Sequence, residues 1–278
     1  MNLPDFLPAV KPGLYVVATP IGNRGDITLR ALDVLKKVDL IYCEDTRTSR
    51  PLMETFGIKT PLKSLHDYNE ESLIPEIVTR LNGNEKLALI SDAGTPLISD
   101  PGYKLMKALQ EHNLPVTVIP GPSAVITAAA LSGLPTDRFM FCGFVDPKKL
   151  IDYNGIDATL LFYESPHRLL KTLEIMLTTF VNRTISVLRE LTKLHEEVVH
   201  GTITEVLENF RNREKILGEI VIVLSPPLLK MNVPSDQEVD AAISEALKSH
   251  SLKDACTLVA GALGLPRKDI YKRALFLK

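Results

Sequence analysis

The sequence contains no tryptophan and only three cysteines, Cys43, Cys142 and Cys256, among 278 residues. The cysteines lie far apart, with no Cys-x-x-Cys pair and no histidine at ligand spacing, which argues against a metal site and against a disulfide framework. No apolar run approaches the roughly 18 residues of a membrane span, and the first residues lack the apolar core of a secretory signal. We therefore expect a soluble cytoplasmic protein with reduced thiols, no metal and no membrane partner.

A strong net charge is also missing. The sequence has 32 Lys and Arg against 34 Asp and Glu, so its formal net charge is −2. This balance argues against a protein that coats nucleic acid with its whole surface. The charge is uneven, however, because seven basic residues outnumber two acidic ones between Lys248 and Lys278. The sequence therefore predicts a basic surface near its C-terminal end.

The common phosphate-binding motifs are absent, since the sequence contains neither G-x-G-x-x-G nor G-x-x-x-x-G-K-[ST]. It has instead two Gly- and Pro-rich segments after apolar runs, "LISDAGTPLISDPGYKL" (89–105) and "PGPSA" (120–124). Such loops expose backbone N–H and C=O groups with little side-chain bulk, which suits a flat, mostly uncharged ligand such as adenosine. The alternative interpretation is a series of ordinary turns.

Apolar segments alternate with helical patterns through the first 120 residues. This βαβ rhythm is typical of a largely parallel sheet covered by helices. After residue 122 the strands follow one another more closely, which favours a second, antiparallel or mixed sheet. The predicted strands span 13–20, 39–45, 86–91, 115–121, 138–144, 158–165, 184–191, 196–203 and 218–225, and the predicted helices span 26–38, 71–81, 102–112, 123–132, 166–180 and 203–212.

The last part of the chain has a purely helical pattern. Residues 225–236 have the composition of a linker, and two helical segments flank the sequence Gly264-Leu265-Pro266. This arrangement resembles a helix-turn-helix, and its alternative is a small helical cap that packs on the main body. We therefore predict three domains: an N-terminal α/β domain (11–122), a second α/β domain (123–228) and a C-terminal helical basic domain (234–278).

Charged residues follow several predicted strands. Glu44 and Asp45 end the predicted strand 39–45, and Arg47 lies in the loop that follows it, at the sheet edge where ligands bind in open α/β proteins. A solvated loop of mixed charge is the alternative. Similar polar clusters include Glu164 and Arg168 in "FYESPHR".

Nine segments, taken in order, resemble the bacterial ribosomal RNA small subunit methyltransferase I family, which has the tetrapyrrole-methylase-like fold. They are "TPIGNRGDITLRAL", "EDTRTSRPLMETFGI", "HDYNE", "ISDAGTPLISDPGYKL", "IPGPSAVITAAALSGLPTDRFMFCGF", "FYESPHR", "LRELTKLHEE", "GEIVIVL" and "LKDACTLVAGALGLPRKDIY". The resemblance implies two α/β domains with the cofactor cleft between them and a small C-terminal helical domain. It further implies S-adenosylmethionine-dependent 2′-O-methylation of a decoding-centre cytidine in 16S ribosomal RNA, within the small ribosomal subunit, by a homodimer.

The resemblance also implies roles for particular residues. For the cofactor, it points to Pro20, Asp92, Gly94, Leu97, Ser123, Ala124, Phe162 and Tyr163, together with the segment 223–226. A ribose hydroxyl reacts only as it loses its proton, so a carboxylate base or a nearby cation is needed. The candidates, which the sequence does not rank, are Glu44, Asp45, Arg47, Glu164, Arg168 and Glu190. The predicted RNA-binding residues are Lys253, Arg267, Lys268, Lys272 and Arg273.

One segment departs from the family pattern. Members usually carry a longer basic stretch between the "GF" and "FYES" motifs, whereas residues 145–158 here include only two lysines. Two other functions are also considered: a methyltransferase of the same fold that acts on a small macrocycle, and a ribosome assembly factor without catalytic activity. The basic C-terminal region argues against the macrocycle, because a small substrate needs no remote cationic module.

Overall fold

Two five-stranded sheets make up the N-terminal part of the chain. The computed structural model describes residues 7–227, 236–263 and 267–277. The chain divides into two compact units, Met1–Pro227 and Leu228–Lys278, and both sheets belong to the first. The helices and strands of the first unit are β1 (Gly13–Val17), α1 (Leu29–Lys37), β2 (Leu40–Cys43), α2 (Thr46–Thr55), β3 (Leu62–Ser64), α3 (Glu70–Asn82), β4 (Lys86–Ile90), α4 (Tyr103–Glu111), β5 (Val116–Ile119), α5 (Ala124–Leu131), β6 (Phe139–Phe144), β7 (Thr159–Glu164), α6 (Leu169–Thr179), β8 (Thr184–Arg189), β9 (Glu197–Thr202), α7 (Ile203–Arg211) and β10 (Ile220–Leu224).

The first sheet is wholly parallel, with the strand order β3-β2-β4-β1-β5. β1 and β2 are buried along their whole length, as expected for strands covered on both faces. One face packs against α1 through residues such as Leu35 and Ile41, and the other packs against α3 and α4 through Ile77 and Leu105. The predicted parallel sheet is confirmed, and its carboxyl edge gathers the loops that follow β1, β4 and β5.

The second sheet is mixed, with the order β6-β7-β10-β8-β9. β6 and β7 are parallel, while the other neighbouring pairs are antiparallel. α6 and α7 cover one face, where Phe162 and Phe210 are fully buried. The opposite face packs against Val125 and Ala128 of α5 and against Ile21, which follows β1. This second face therefore borders the loops of the first sheet.

Two elements differ from the sequence prediction. α2 and β3 lie between the predicted strand 39–45 and the predicted helix 71–81, where the sequence predicts neither a helix nor a strand. Asp45 caps α2, because its carboxylate accepts a hydrogen bond of 2.8 Å from the Arg47 backbone N–H. The helix is polar and buries only Ser49 and Met53, so apolar periodicity does not reveal it.

Three helices form the C-terminal unit: α8 (Asp236–Leu247), α9 (Leu252–Leu263) and α10 (Arg267–Phe276). They share a small core that includes Ile243, Val259 and Ile270. Residues 228–235 of the predicted linker and the Gly264-Leu265-Pro266 turn lie outside the described residues. Within the described ranges, no helix combines the length and the apolar character that crossing a membrane requires.

Candidate active site

A cavity of about 390 Å³ lies between the carboxyl edge of the first sheet and the second sheet. The loops after β1, β4 and β5 form one wall. The end of β7, the start of β10 and the turn after β8 form the other. The lining residues are Ile21, Asp92, Ala93, Gly94, Thr95, Ile98, Asp100, Ser123, Ala124, Phe144, Tyr163, Glu164, Ser165, Pro166, Leu191, Gly218, Glu219, Ile220 and Val221.

The loop after β4 is held in an unusual backbone conformation. Gly94, Leu97, Ser99 and Gly102 all have positive φ angles, of 80°, 72°, 65° and 124°. Gly94 exchanges two backbone hydrogen bonds with Thr19, of 2.8 and 3.0 Å. A Cβ atom added at Gly94 would lie 3.3 Å from Cγ2 of Ile21. Glycine therefore lets this loop lie closely against the end of β1 and present its backbone to the cavity.

The opposite wall follows from the antiparallel pairing of β7 and β10. Glu164, at the end of β7, lies opposite Ile220, at the start of β10. The cavity is therefore lined by 218–221. The segment 223–226 is not part of the cavity lining, because Leu224 pairs with Leu160 at the other end of β7.

Five of the eight predicted cofactor residues line the cavity: Asp92, Gly94, Ser123, Ala124 and Tyr163. Tyr163 packs edge-on against Phe144, with ring centroids 5.4 Å apart. The cavity lining does not include Pro20, which immediately precedes Ile21, or Leu97, which packs against the core of the first sheet.

Phe162 was expected to contact the cofactor, but its side chain lies on the other face of β7 from the cavity. Successive side chains of a strand point to opposite faces, so Phe162 and Tyr163 cannot share one face of β7. Phe162 is 1% exposed and lies in the core beneath α6 and α7. Its side chain therefore does not line the cavity.

Asp100 and Glu219 are lining carboxylates to which the sequence analysis gave no role. Burial raises the pKa of Asp100 to about 6, and the Ser91 hydrogen bond opposes this rise. The negative charges of Glu44, Asp92 and Asp67 each raise this pKa by a smaller amount. Asp100 takes part in none of the ion pairs found among the described residues. In the sequence, the second Ser-Asp pair of "SDAGTPLISD" is the feature that could have pointed to Asp100. Asp100 is thus a carboxylate whose pKa lies much closer to neutral pH than that of an ordinary Asp.

Burial likewise raises the pKa of Glu44 and of Asp92, with repulsion between them as the next cause for Glu44. Asp92 lines the cavity, whereas Glu44 lies immediately after β2, outside the lining. The Asp45 backbone N–H lies 3.4 Å from Oδ1 of Asp92, which joins the start of α2 to the β4 loop.

Asp45 and Arg47 pair with each other outside the cavity lining. The Arg47 guanidinium donates to both carboxylate oxygens of Asp45, at 2.7 to 3.1 Å. These hydrogen bonds lower the pKa of Asp45 to about 2. The Arg47 side chain is 89% exposed. Arg47 lies in the first turn of α2, so the expectation that it belongs to a loop is wrong.

Glu164 borders the cavity, but it is buried and its carboxylate already has three polar partners. Its carboxylate accepts hydrogen bonds from the Ser165 backbone N–H at 2.6 Å and from the Thr172 hydroxyl, and it pairs with Arg168 at 2.7 Å. Glu164 thus joins the end of β7 to the first turns of α6. Glu190, the remaining catalytic candidate, lies in the turn after β8 and accepts hydrogen bonds from Lys193 and from the Glu219 backbone N–H.

Four of the five predicted RNA-binding residues are exposed in the C-terminal unit: Lys253, Arg267, Lys268 and Lys272. Arg273 differs, because it pairs with Asp236 and Asp240 of α8. The net charge of the whole predicted domain also gives less support to RNA binding than the charge of residues 248–278 alone. Residues 234–278 contain seven basic and six acidic residues, so their net charge is only +1.

Comparison with known proteins places the chain among methyltransferases. The family "Tetrapyrrole (Corrin/Porphyrin) Methylases" matches residues 13–207, and "RsmI C-terminal HTH domain" matches residues 233–278. The chain is 42% identical to ribosomal RNA small subunit methyltransferase I of Xylella fastidiosa, with 94% of this chain and 98% of that protein covered. It is 41% identical to the Escherichia coli O157:H7 protein of the same name, with 94% of each chain covered.

Solved structures confirm the fold. A uroporphyrin-III-C-methyltransferase from Thermus thermophilus matches with a TM-score of 0.56 at 21% identity, over 76% of this chain and 94% of that chain. A diphthine synthase matches with a TM-score of 0.60 at 16% identity, over 76% of this chain and 89% of that chain. The expected α/β architecture with an added helical region is therefore confirmed.

Proposed function

The chain belongs to the ribosomal RNA small subunit methyltransferase I family, and from this membership we propose that it methylates small-subunit ribosomal RNA with S-adenosylmethionine. The reaction we propose is 2′-O-methylation of the ribose of a decoding-centre cytidine in 16S ribosomal RNA, in the cytoplasm. The observation that carries this proposal is a cavity lined by the family's Gly- and Pro-rich loops, in a chain that aligns with these relatives over almost its whole length.

The cavity fits the proposed cofactor in size and chemistry. Its volume of about 390 Å³ falls within the range of small-molecule sites. The backbone around Gly94 and the N-terminus of α5 at Ser123 offer polar groups without bulk, and the Tyr163 ring adds an apolar surface. Asp92 and Asp100 provide negative charge beside a cationic ligand. S-adenosylmethionine supplies an activated methyl group on a positively charged sulfur.

We assign the role of general base to Asp100. Transfer forms the O2′–CH₃ bond and breaks the S–CH₃ bond, while the O2′ proton must leave. If Asp100 accepts that proton, its negative charge disappears together with the positive charge of the sulfur, so the charges balance. A base works best when its pKa lies near the working pH, and the pKa of Asp100 is raised to about 6. Hydrogen bonds from Arg47 and Lys193 lower the pKa of Asp45 and of Glu190, respectively, which makes these two carboxylates weaker bases. Glu164 is already paired with Arg168.

For the RNA, we propose that the exposed cations of the C-terminal unit bind phosphates. Lys253, Arg267, Lys268 and Lys272 support this proposal, whereas Arg273 is occupied by its ion pairs. Phosphate contacts position an RNA without reading its sequence. The choice of nucleotide would then depend on the cavity.

We also propose a homodimer. β5 and β6 are the edge strands of their sheets, and large apolar side chains there are exposed. Val118 is 53% exposed and Phe139 is 43% exposed, and Ile126 of α5 is 56% exposed. A second copy would cover these side chains and protect the strand edges.

The proposed function is tested by transfer of a labelled methyl group from S-adenosylmethionine. The acceptors are naked 16S ribosomal RNA, assembled small subunits and a porphyrin-type macrocycle. We expect label in RNA from at least one of the first two. Label in the macrocycle alone would support the other activity of this fold. Cofactor binding with no transfer to any acceptor would favour an assembly factor.

A further inference from the structure

The turn after β8, residues Glu190–Lys193, has a strained backbone beside the cavity. Glu190 has a φ angle of +54° and Thr192 has one of +65°. Left-handed backbone is rare for residues other than glycine, and a β-branched residue such as threonine is an outlier there. Such a conformation persists only where the surroundings hold it, and it clusters at functional sites. We call these four residues the clasp.

The clasp holds one cavity wall through Glu190 and Lys193. The Glu190 carboxylate accepts hydrogen bonds from the Glu219 backbone N–H at 3.0 Å and from Lys193 Nζ at 2.8 Å. Lys193 Nζ also donates to the Glu219 carboxylate at 3.0 Å. Gly218 has a φ angle of +92°, and a Cβ there would lie 2.4 Å from Cγ of Glu190. Glu190 is thus packed directly on the segment that lines the cavity at Gly218 and Glu219.

The clasp also holds the opposite wall. The Asn23 backbone N–H donates to the Thr192 hydroxyl at 3.0 Å, which ties the loop after β1 to the turn after β8. A Cβ at Gly22 would lie 2.5 Å from Cγ of Lys193, so the two loops are in close contact. Ile21, one residue earlier, lines the cavity, as does Leu191 of the clasp. The Thr192 backbone N–H donates to the Glu196 carboxylate at 2.6 Å.

We propose that the clasp sets the separation of the two cavity walls and thereby the affinity for the cofactor, with Glu190 and Thr192 as positioning residues. Glu190, expected from the sequence to be catalytic, then acts through the backbone of Gly218 and Glu219. The inference rests on the proposed function in taking this cavity as the cofactor site. It adds a role for the Thr192–Asn23 hydrogen bond, which joins the loops of the two sheets.

The test compares two Thr→Val variants with the wild-type protein. Thr192→Val removes the acceptor of the Asn23 N–H but keeps the branched shape. Thr202→Val is the matched control, since the Thr202 hydroxyl caps α7 and accepts from the Glu205 N–H away from the cavity lining. Calorimetry measures the Kd for S-adenosylmethionine, thermal unfolding without ligand measures Tm, and steady-state assays give KM and kcat.

We expect Thr192→Val to weaken cofactor affinity roughly three- to tenfold, the loss of one net hydrogen bond. KM for the cofactor should rise by a similar factor while kcat at saturation is kept. Thr202→Val should lower Tm and leave Kd unchanged. Thr192→Ser keeps the hydroxyl and should restore the wild-type Kd. Lys193→Met should also weaken affinity, because it removes the bridge between Glu190 and Glu219.

The outcomes separate this inference from the proposed function. A wild-type protein that does not bind S-adenosylmethionine would refute the assignment of the cavity itself. If the wild-type protein binds S-adenosylmethionine and Kd is unchanged in both Thr192→Val and Lys193→Met, the role of the clasp in cofactor affinity is refuted. The assignment of the cavity would then still stand. A fall in Tm without a change in Kd would make the clasp a purely structural feature and would overturn the inference.

Discussion

Replacing Asp100 by Asn should make the protein more stable and less active. The pKa of Asp100 is raised to about 6, mainly by burial, with repulsion from Glu44, Asp92 and Asp67 adding to the effect. The folded protein therefore holds this carboxyl in an environment that disfavours its charge. Asn keeps nearly the same shape and carries no charge, so it should remove that cost.

The stability gain should depend on pH in a defined way. Below about pH 4 Asp100 is protonated in both the folded and the unfolded state, and the variant gains nothing. Between about pH 4 and pH 6 the unfolded chain has already lost the proton that the folded protein keeps, so wild-type stability falls as the pH rises. A rise of pKa from about 4 to about 6 corresponds to at most about 3 kcal/mol. Because Asp100 is partly exposed, solvent screens the repulsion, and we expect about 1 to 2 kcal/mol at pH 8.

Urea unfolding of both proteins at pH 4 and pH 8 measures this difference. Single-turnover methylation at saturating cofactor and RNA measures the chemical step, which should be roughly 100- to 10,000-fold slower in the variant. The wild-type rate should rise with pH through about 6, and the variant should lose that inflection. An equal stability difference at both pH values would refute the electrostatic argument. A wild-type rate in Asp100→Asn would refute the catalytic role.

Three further predictions concern the cavity, its support and the RNA. Gly94→Leu should weaken S-adenosylmethionine binding in calorimetry at least tenfold, because a side chain there would enter the space beside Ile21 and a φ angle of 80° disfavours leucine. An unchanged Kd would remove this loop from the site. Glu164→Gln should lower the free energy of unfolding by about 1 to 3 kcal/mol, since Arg168 and the buried Thr172 hydroxyl lose a carboxylate partner; unchanged urea unfolding would contradict this. The double variant Lys268→Ala/Lys272→Ala should reduce the salt dependence of RNA binding by about 1.4 to 1.8 in log–log slope, and an equal slope would mean that these lysines do not contact phosphate.

The sequence predicted the elements that have clear apolar periodicity. The buried strands β1, β2, β4 and β10 were expected, as was the change from a parallel to a mixed sheet. α2 was missed because it is polar and includes Pro51, and β3 because it has three residues, none of them fully buried. Short and polar elements depend on tertiary contacts, which local patterns do not encode.

The cavity was predicted only in part, because its lining depends on pairing and backbone conformation. The choice between 218–221 and 223–226 follows from the antiparallel register of β10 with β7, which composition does not reveal. Asp100 reaches the cavity through a loop with left-handed residues at Leu97 and Ser99, where a series of ordinary turns was the alternative interpretation. The pairing of Arg273 with Asp236 and Asp240 likewise joins residues more than 30 positions apart.

The most direct test of the proposed reaction is to identify the methylated nucleoside. 16S ribosomal RNA or small subunits lacking the modification are incubated with the protein and S-adenosylmethionine, digested to nucleosides and analysed by mass spectrometry. The account predicts 2′-O-methylcytidine, formed by the wild-type protein and reduced at least 100-fold in Asp100→Asn. A methyl group on a base, on another nucleoside, or absent from the RNA while the wild-type protein binds the cofactor would contradict it.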